Sequence, residues 1–215
     1  MESGRPSVLA RVDHLVYATR DLDQTVADLE RRLGCRATPG GQHPGRGTRN
    51  AIISLGARCY LEVVGPDASQ PPPTYPRWFS VDSVSQPRLV TWAASATRLE
   101  ETAGQARLRG VRLGPIMTGS RSQPDGTRLR WRFTDPATVV GDGLVPFLID
   151  WGESPHPAGD GTPPCTLVDL RAEHPDAEGI TRMLAELDLE LSVGPGPVPA
   201  LIATLKTAKG RLELR

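Results

Sequence analysis

Residues 12–34 read VDHLVYATRDLDQTVADLERRLG, and they decide the fold. The first seven alternate as a β-strand does, and the remainder carries Leu22, Val26, Leu29 and Leu33 at helical spacing. Asp21 or Asp23 is placed to cap that helix and Gly34 to end it. Two strand-like runs follow, NAIISLG (50–56) and RCYLEVVGP (58–66), joined by a Gly-containing turn. The segment reads as β-α-β-β, with a short extra strand expected near Cys35.

The order recurs in RLVTWAAS (88–95), TRLEETAGQARLRGV (97–111), GTRLRWRFT (126–134) and LVPFLIDWG (144–152). It recurs again, shortened, in CTLVDLRA (165–172), PDAEGITRMLAEL (175–187), PALIATLKT (199–207) and GRLELR (210–215). In the third helix Ile180, Met183, Leu184 and Leu187 form an apolar stripe. A Pro-rich stretch (66–87) separates the first unit from the second, and a Pro/Gly-rich linker (152–164) the second from the third. Such repeats pack edge to edge with their helices on one side, so the fold class is α+β and the opposite sheet faces curve round a shared cavity.

Composition narrows the function. Across 215 residues, Lys+Arg 25 balances Asp+Glu 25, so no net field draws nucleic acid or an anionic membrane. Gly 22 and Pro 21 imply many turns. The N-terminus lacks a signal-peptide core, and no segment approaches the roughly 20 apolar residues of a membrane span. Cys35, Cys59 and Cys165 are far apart without a C-x-x-C, which reads as a cytoplasmic protein with reduced thiols.

Strand alternation sorts the polar residues. Leu15 and Tyr17 face the helix, leaving His14, Val16 and Ala18 on the concave side. Leu61 and Val63 likewise leave Tyr60, Glu62 and Val64 concave. In the second unit the same count sends Phe147, Ile149 and Trp151 toward the helix and Leu148 with Asp150 to the concave side, so Asp150 matches Glu62. Thr91 is the expected counterpart of His14. Asp13 is expected to face away from His14, which excludes an Asp–His dyad, and His156 in the linker is expected to carry nothing. GGQHPGRGTRN (40–50) brings Asn50 to the cavity mouth and His43 onto a lid, a turn-rich hairpin being the alternative. Arg128 and Arg130 share a face suited to gripping a carboxylate or phosphate, or else form a solvated sheet face. No G-x-S-x-G, Cys nucleophile motif or H-E-x-x-H occurs.

The doubled strand–helix–strand order, the His of DHLVYA and the Glu of YLEVVGP resemble the vicinal oxygen chelate superfamily. GGQHPGRGTRNAIISLGARCYLEVVGPD (40–67) and PDGTRLRWRFT with LVPFLIDW are similar to its bacterial glyoxalase-like domain family. The resemblance spans residues 11–215. It implies tandem βαβββ modules in a curved mixed sheet over residues 11–152, with an additional C-terminal βαββ half-module over 165–215 packed on it. It also implies His14, Glu62 and Asp150 as ligands of a divalent metal, with Glu62 and Asp150 catalytic and Asn50, Tyr60, Thr91, Arg128 and Arg130 around the substrate. Thr91 is a poor ligand, so the familiar four-ligand set is one member short. Oxygen-rich ligation favours Mg or Mn, and the nitrogen of His14 admits Fe, Ni or Zn. The expected function is action on a small carbonyl or vicinal-oxygen substrate between the modules, of lyase, isomerase or dioxygenase type. The alternative is a metal-free protein that binds or sequesters a small molecule, as resistance-type members do. The expected partner is a small-molecule ligand, and the oligomeric state stays open, a homodimer included.

Overall fold

The computed structural model describes residues 8–122, 128–159, 163 and 165–215. Residues 126–127 of the expected strand 126–134 and part of the 152–164 linker fall outside the described residues. The first module runs β1 (Val12–Ala18), α1 (Leu22–Leu33), β2 (Thr38–His43), β3 (Thr48–Gly56) and β4 (Cys59–Pro66). The second runs β5 (Arg88–Ser95), α2 (Leu99–Leu108), β6 (Ile116–Ser122), β7 (Arg128–Thr134) and β8 (Phe147–Asp150). Asp21 caps α1 by accepting from the Gln24 amide at 3.0 Å. Gly34 ends that helix at φ 72°, a conformation that costs glycine no Cβ clash. The extra strand expected near Cys35 is β2.

The eight strands form one mixed sheet in the order β2-β3-β4-β1-β5-β8-β7-β6. β1 lies parallel to β4 and β5 parallel to β8, while β1 and β5 meet antiparallel at the centre. The two modules are therefore related by an approximate two-fold axis between β1 and β5. The sheet curls until its edge strands approach, so the structure is a curved, nearly closed sheet around a cavity. Arg121 on β6 donates to the Gly40 carbonyl on β2, bridging the two edges.

Two apolar layers follow from the alternation. Leu15, Tyr17, Leu61 and Val63 pack with α1, and Trp92, Ala94 and Leu148 continue that layer under the second module. Val16, Ala18, Tyr60, Val64, Phe147 and Ile149 form a second cluster on the cavity side. Trp92, fully buried, donates its indole N–H to the Leu144 carbonyl at 2.8 Å, so the largest core residue leaves no polar atom unpaired.

The C-terminal unit comprises β9 (Cys165–His174), α3 (Ala177–Ala185), β11 (Ala200–Thr207) and β12 (Gly210–Leu214), with a short further strand, β10 (Ser192–Pro195). Its four-stranded sheet is ordered β10-β9-β11-β12, with β10 parallel to β9, an order the first module does not share. Leu167, Leu170, Ile180, Leu184, Leu201 and Leu205 join the helix-side core rather than extending the large sheet. The Cys35 and Cys165 sulfurs touch at 3.4 Å across this joint. Burial pushes the Cys165 thiol up to about 12.

Candidate functional site

β1 carries the first surprise. Val12 pairs with Ala94 and His14 with Ala93, so two β5 residues face three on β1 and Asp13 is the extra residue of a bulge. The bulge breaks the alternation that would turn Asp13 away from His14. Asp13 instead accepts from His14 Nδ1 at 2.7 Å, and the expectation that the two cannot form a dyad is corrected. The other Asp13 oxygen accepts from Trp151 Nε1 at 3.0 Å and His156 Nε2 at 3.2 Å. His156, expected to be idle in its linker, is therefore a structural partner of this carboxylate. Burial works to raise the Asp13 carboxyl, but hydrogen bonds from His14 and His156, with their charge, hold it down at about 2.

With Nδ1 tied to Asp13, His14 presents Nε2 to the cavity, 3.6 Å from Glu62 Oε2. Glu62 comes from β4, where alternation turns it to the concave side as expected. Its Oε1 accepts from Asn50 Nδ2 and lies 3.5 Å from His43 Nε2. His43 is fixed in turn by Thr48, 2.8 Å from its Nδ1. Burial lowers the His43 imidazole; the Glu62 charge opposes that, and Arg121 and His14 add to it. Tyr60 stacks on His14 with ring centroids 4.6 Å apart, and burial raises its phenol well above the usual range. The Asn50 side-chain oxygen is buried without a hydrogen-bond partner among the described residues. A Cβ at position 40 would meet that oxygen at 2.0 Å, so glycine there leaves room for the Asn50 side chain.

This polar floor lies in a cavity of about 360 Å³, within the size range of small-molecule sites, about 300–1,000 Å³. Its walls are aromatic. Trp131 and Phe133 come from β7, Phe147 and Trp151 from β8 and the residue after it, and Trp78 and Phe79 from the Pro-rich connection. Gly119 on β6 makes room for the Trp131 indole, which a Cβ would meet at 2.3 Å. The connection is thus a wall rather than a spacer. Trp78 donates to Asp135 at 3.1 Å, and Phe79 holds φ 60°, a costly conformation for a bulky residue. Arg46 lies over the Trp78 ring at 4.2 Å, and Arg121 completes the rim.

Several expected residues stand elsewhere. Phe147, Ile149 and Trp151 line the cavity, while Leu148 packs in the helix-side core, so the faces of β8 are the reverse of the sequence reading. Asp150 consequently points away from His14 and Glu62 and accepts from the Gly152 amide at 2.9 Å. The reason is that β8 is apolar on both faces, so alternation alone does not set its phase. Thr91 pairs with Val16 and does not line the cavity; the register partner of His14 is Ala93. Arg128 and Arg130 are exposed on the outer face of β7, because Leu129 is buried between them and Trp131 and Phe133 take the cavity side. Asn50 and Tyr60 do line the cavity.

The expected metal centre does not fit these residues. Of His14, Glu62 and Asp150, only the first two meet, and the two-fold-related positions hold Ala93 and Ile149, which offer no donor. His14 and His43 flank opposite oxygens of Glu62 rather than one point. Among the described residues no group of three or more His, Cys, Asp or Glu is placed to hold a metal ion. No helix among them is long and apolar enough to cross a membrane.

The sequence model of the glyoxalase-like domain matches residues 12–187. No curated protein matches the sequence. A hypothetical protein from Staphylococcus aureus shares the fold at a TM-score of 0.71 and 13% identity, over 93% of this chain and 92% of that one. A methylmalonyl-CoA epimerase from Streptomyces coelicolor aligns at 0.47 and 21% identity, over 68% of this chain and 98% of that one. The epimerase from Mycobacterium tuberculosis aligns at 0.43 and 17%, over 70% and 94%. These two likenesses are too partial to bear on function. The family match covers most of the chain, and with it the chain belongs to the glyoxalase-like domain family of the vicinal oxygen chelate superfamily.

Proposed function

We propose that the protein is a small-molecule enzyme that moves a proton on an organic substrate bearing a carbonyl or vicinal oxygens. The observation that carries this reading is the buried array Asp13–His14–Glu62 at the floor of an aromatic cavity. Burying a carboxylate costs several kcal/mol unless it is well hydrogen-bonded, and Asp13 spends all its contacts orienting His14, Trp151 and His156. A cavity that merely holds a ligand has no use for an imidazole locked in one tautomer.

The chemistry follows from the geometry. Glu62 Oε1 is held by Asn50, leaving Oε2 to take a proton from the carbon beside the carbonyl. His14 Nε2, facing the same space, gives a proton to the developing oxyanion and later recovers it. The Asp13 carboxylate behind Nδ1 balances the charge of the ring whenever Nε2 carries that proton. Proton return to either face of the carbon gives isomerisation, and loss of a neighbouring group gives elimination.

The test is solvent deuterium exchange, followed by proton NMR, over a panel of 2-oxo acids and 2-hydroxyketones. Exchange at the carbon beside the carbonyl is expected, and Glu62→Gln should slow it by about 10²–10⁴-fold. Binding without exchange across the panel, unchanged by Glu62→Gln, would favour the second reading, a metal-free sequestering protein. That reading draws its support from the wholly apolar half of the cavity contributed by β8.

A further inference from the structure

The two arginines at the cavity rim have no part in the proton transfer. Arg121 lies on the edge strand β6, and its guanidinium reaches across the mouth to the Gly40 carbonyl on the opposite edge strand. Its stem passes over Gly41, where even a Cβ would sit 3.6 Å from its Cδ. Arg46 lies on the aromatic face of Trp78 and pairs with Asp135 at 3.8 Å. Both side chains line the cavity, whereas the arginines of β7 do not.

Resting on the reading that the cavity binds a small organic molecule, we propose that its ligand is an organic anion: a flat apolar body between the aromatic walls, ended by a carboxylate or phosphomonoester that Arg121 receives. A peptide carbonyl offers a guanidinium one neutral acceptor, whereas a carboxylate or phosphate offers a full opposite charge and two oxygens that match its fork. An arriving carboxylate therefore displaces Gly40 from Arg121 and takes its place. That exchange opens the bridge between the edge strands on ligand entry and replaces it with the ligand itself. Arg121, Glu62 and His14 line the same cavity, so an anion held at the rim leaves the rest of the molecule over Glu62 and His14. Arg46, already paired with Asp135, contributes a flat cationic surface on Trp78 rather than the primary grip.

The probes are 2-naphthoate, 2-naphthyl phosphate and the neutral 2-naphthamide, titrated by calorimetry into the full chain and into Arg121→Gln and Arg121→Lys. At least one anion should bind the parent protein tenfold or more tightly than the amide. Arg121→Gln should erase that preference while leaving amide affinity within about twofold, which also reports an intact fold. Arg121→Lys should keep part of it. The stronger of the two anions identifies the terminal group. Equal binding of anions and amide, or a preference that survives Arg121→Gln, overturns the anion inference and leaves the small-molecule cavity standing. Failure of all three probes to bind overturns both.

Discussion

In the first module His14, Tyr60 and Glu62 occupy the register positions that Ala93, Phe147 and Ile149 occupy in the second. The backbones are alike, and the side chains divide the labour. One half offers an imidazole backed by a carboxylate, a second carboxylate and their hydrogen-bond partners. In the other, β8 offers aromatic and aliphatic surface in their place. A two-fold-related pair of strands thus places reactive groups opposite a dry wall, where charges interact more strongly than in water. Symmetry supplied the cavity, and breaking it put the titratable groups on one side.

The comparison presumes that both halves stand on one frame, and the C-terminal unit supplies it. We propose that residues 165–215 are integral, since their buried leucines share one core with Leu15 and Trp92. Deleting them uncovers several side chains worth about 1.5–3 kcal/mol each, against a total stability of roughly 5–15 kcal/mol. The expected result is an aggregating chain with no cooperative thermal transition. A soluble remainder that melts cooperatively would make the unit a detachable domain.

A direct test of the divided labour pairs one substitution from each half. Glu62→Gln should lower turnover by about 10²–10⁴-fold with substrate affinity nearly kept. Ile149→Ala should weaken binding and cost about 2–5 kcal/mol of stability, with the rate on bound substrate nearly kept. Equal loss of rate from both would erase the distinction between the halves.

The asymmetry is also reversible on paper. The double substitution Ala93→His with Ile149→Glu places donors at the positions related to His14 and Glu62. It should raise Ni²⁺ or Zn²⁺ affinity at least about tenfold over the parent, since four convergent donors complete a tetrahedral or larger set. Thr91→His, on a residue paired with Val16 outside the cavity, should not. Uptake by Thr91→His alone would show that the two-fold correspondence is drawn through the wrong residue.

The smallest effect concerns Asp13. Its carboxyl is lowered from 3.8 to about 2, so the stability it contributes is present above pH 4 and lost as pH falls toward 2. The shift corresponds to about 2 kcal/mol. Chemical denaturation across that window should show a shallower acid limb for Asp13→Asn, with Asp67, also held near 2 by Ser69 and Gln70, supplying what remains. An unchanged limb would mean that Asp13 is not the buried anion behind His14.

The sequence by itself determined the modules. The cap at Asp21, the stop at Gly34 and the 3.6-residue spacing between them are local features, and a helix needs nothing more to be recognised. Alternation in β4 put Glu62 on the concave face, because Glu62 is the one charged residue of that run and marks the side opposite Leu61 and Val63. Only the tertiary structure decided the rest of the site. The bulge at Asp13 comes from the pairing of β1 with β5, and the phase of β8 from its pairing with β5 and β7, since both its faces are apolar. Trp78 and Arg121 reach the cavity from a connection and a distant edge strand, and His156 reaches Asp13 from a linker. Local periodicity reports which face a residue occupies within a regular strand. It does not report where a neighbouring strand shifts that regularity, or which remote segments the curled sheet brings together.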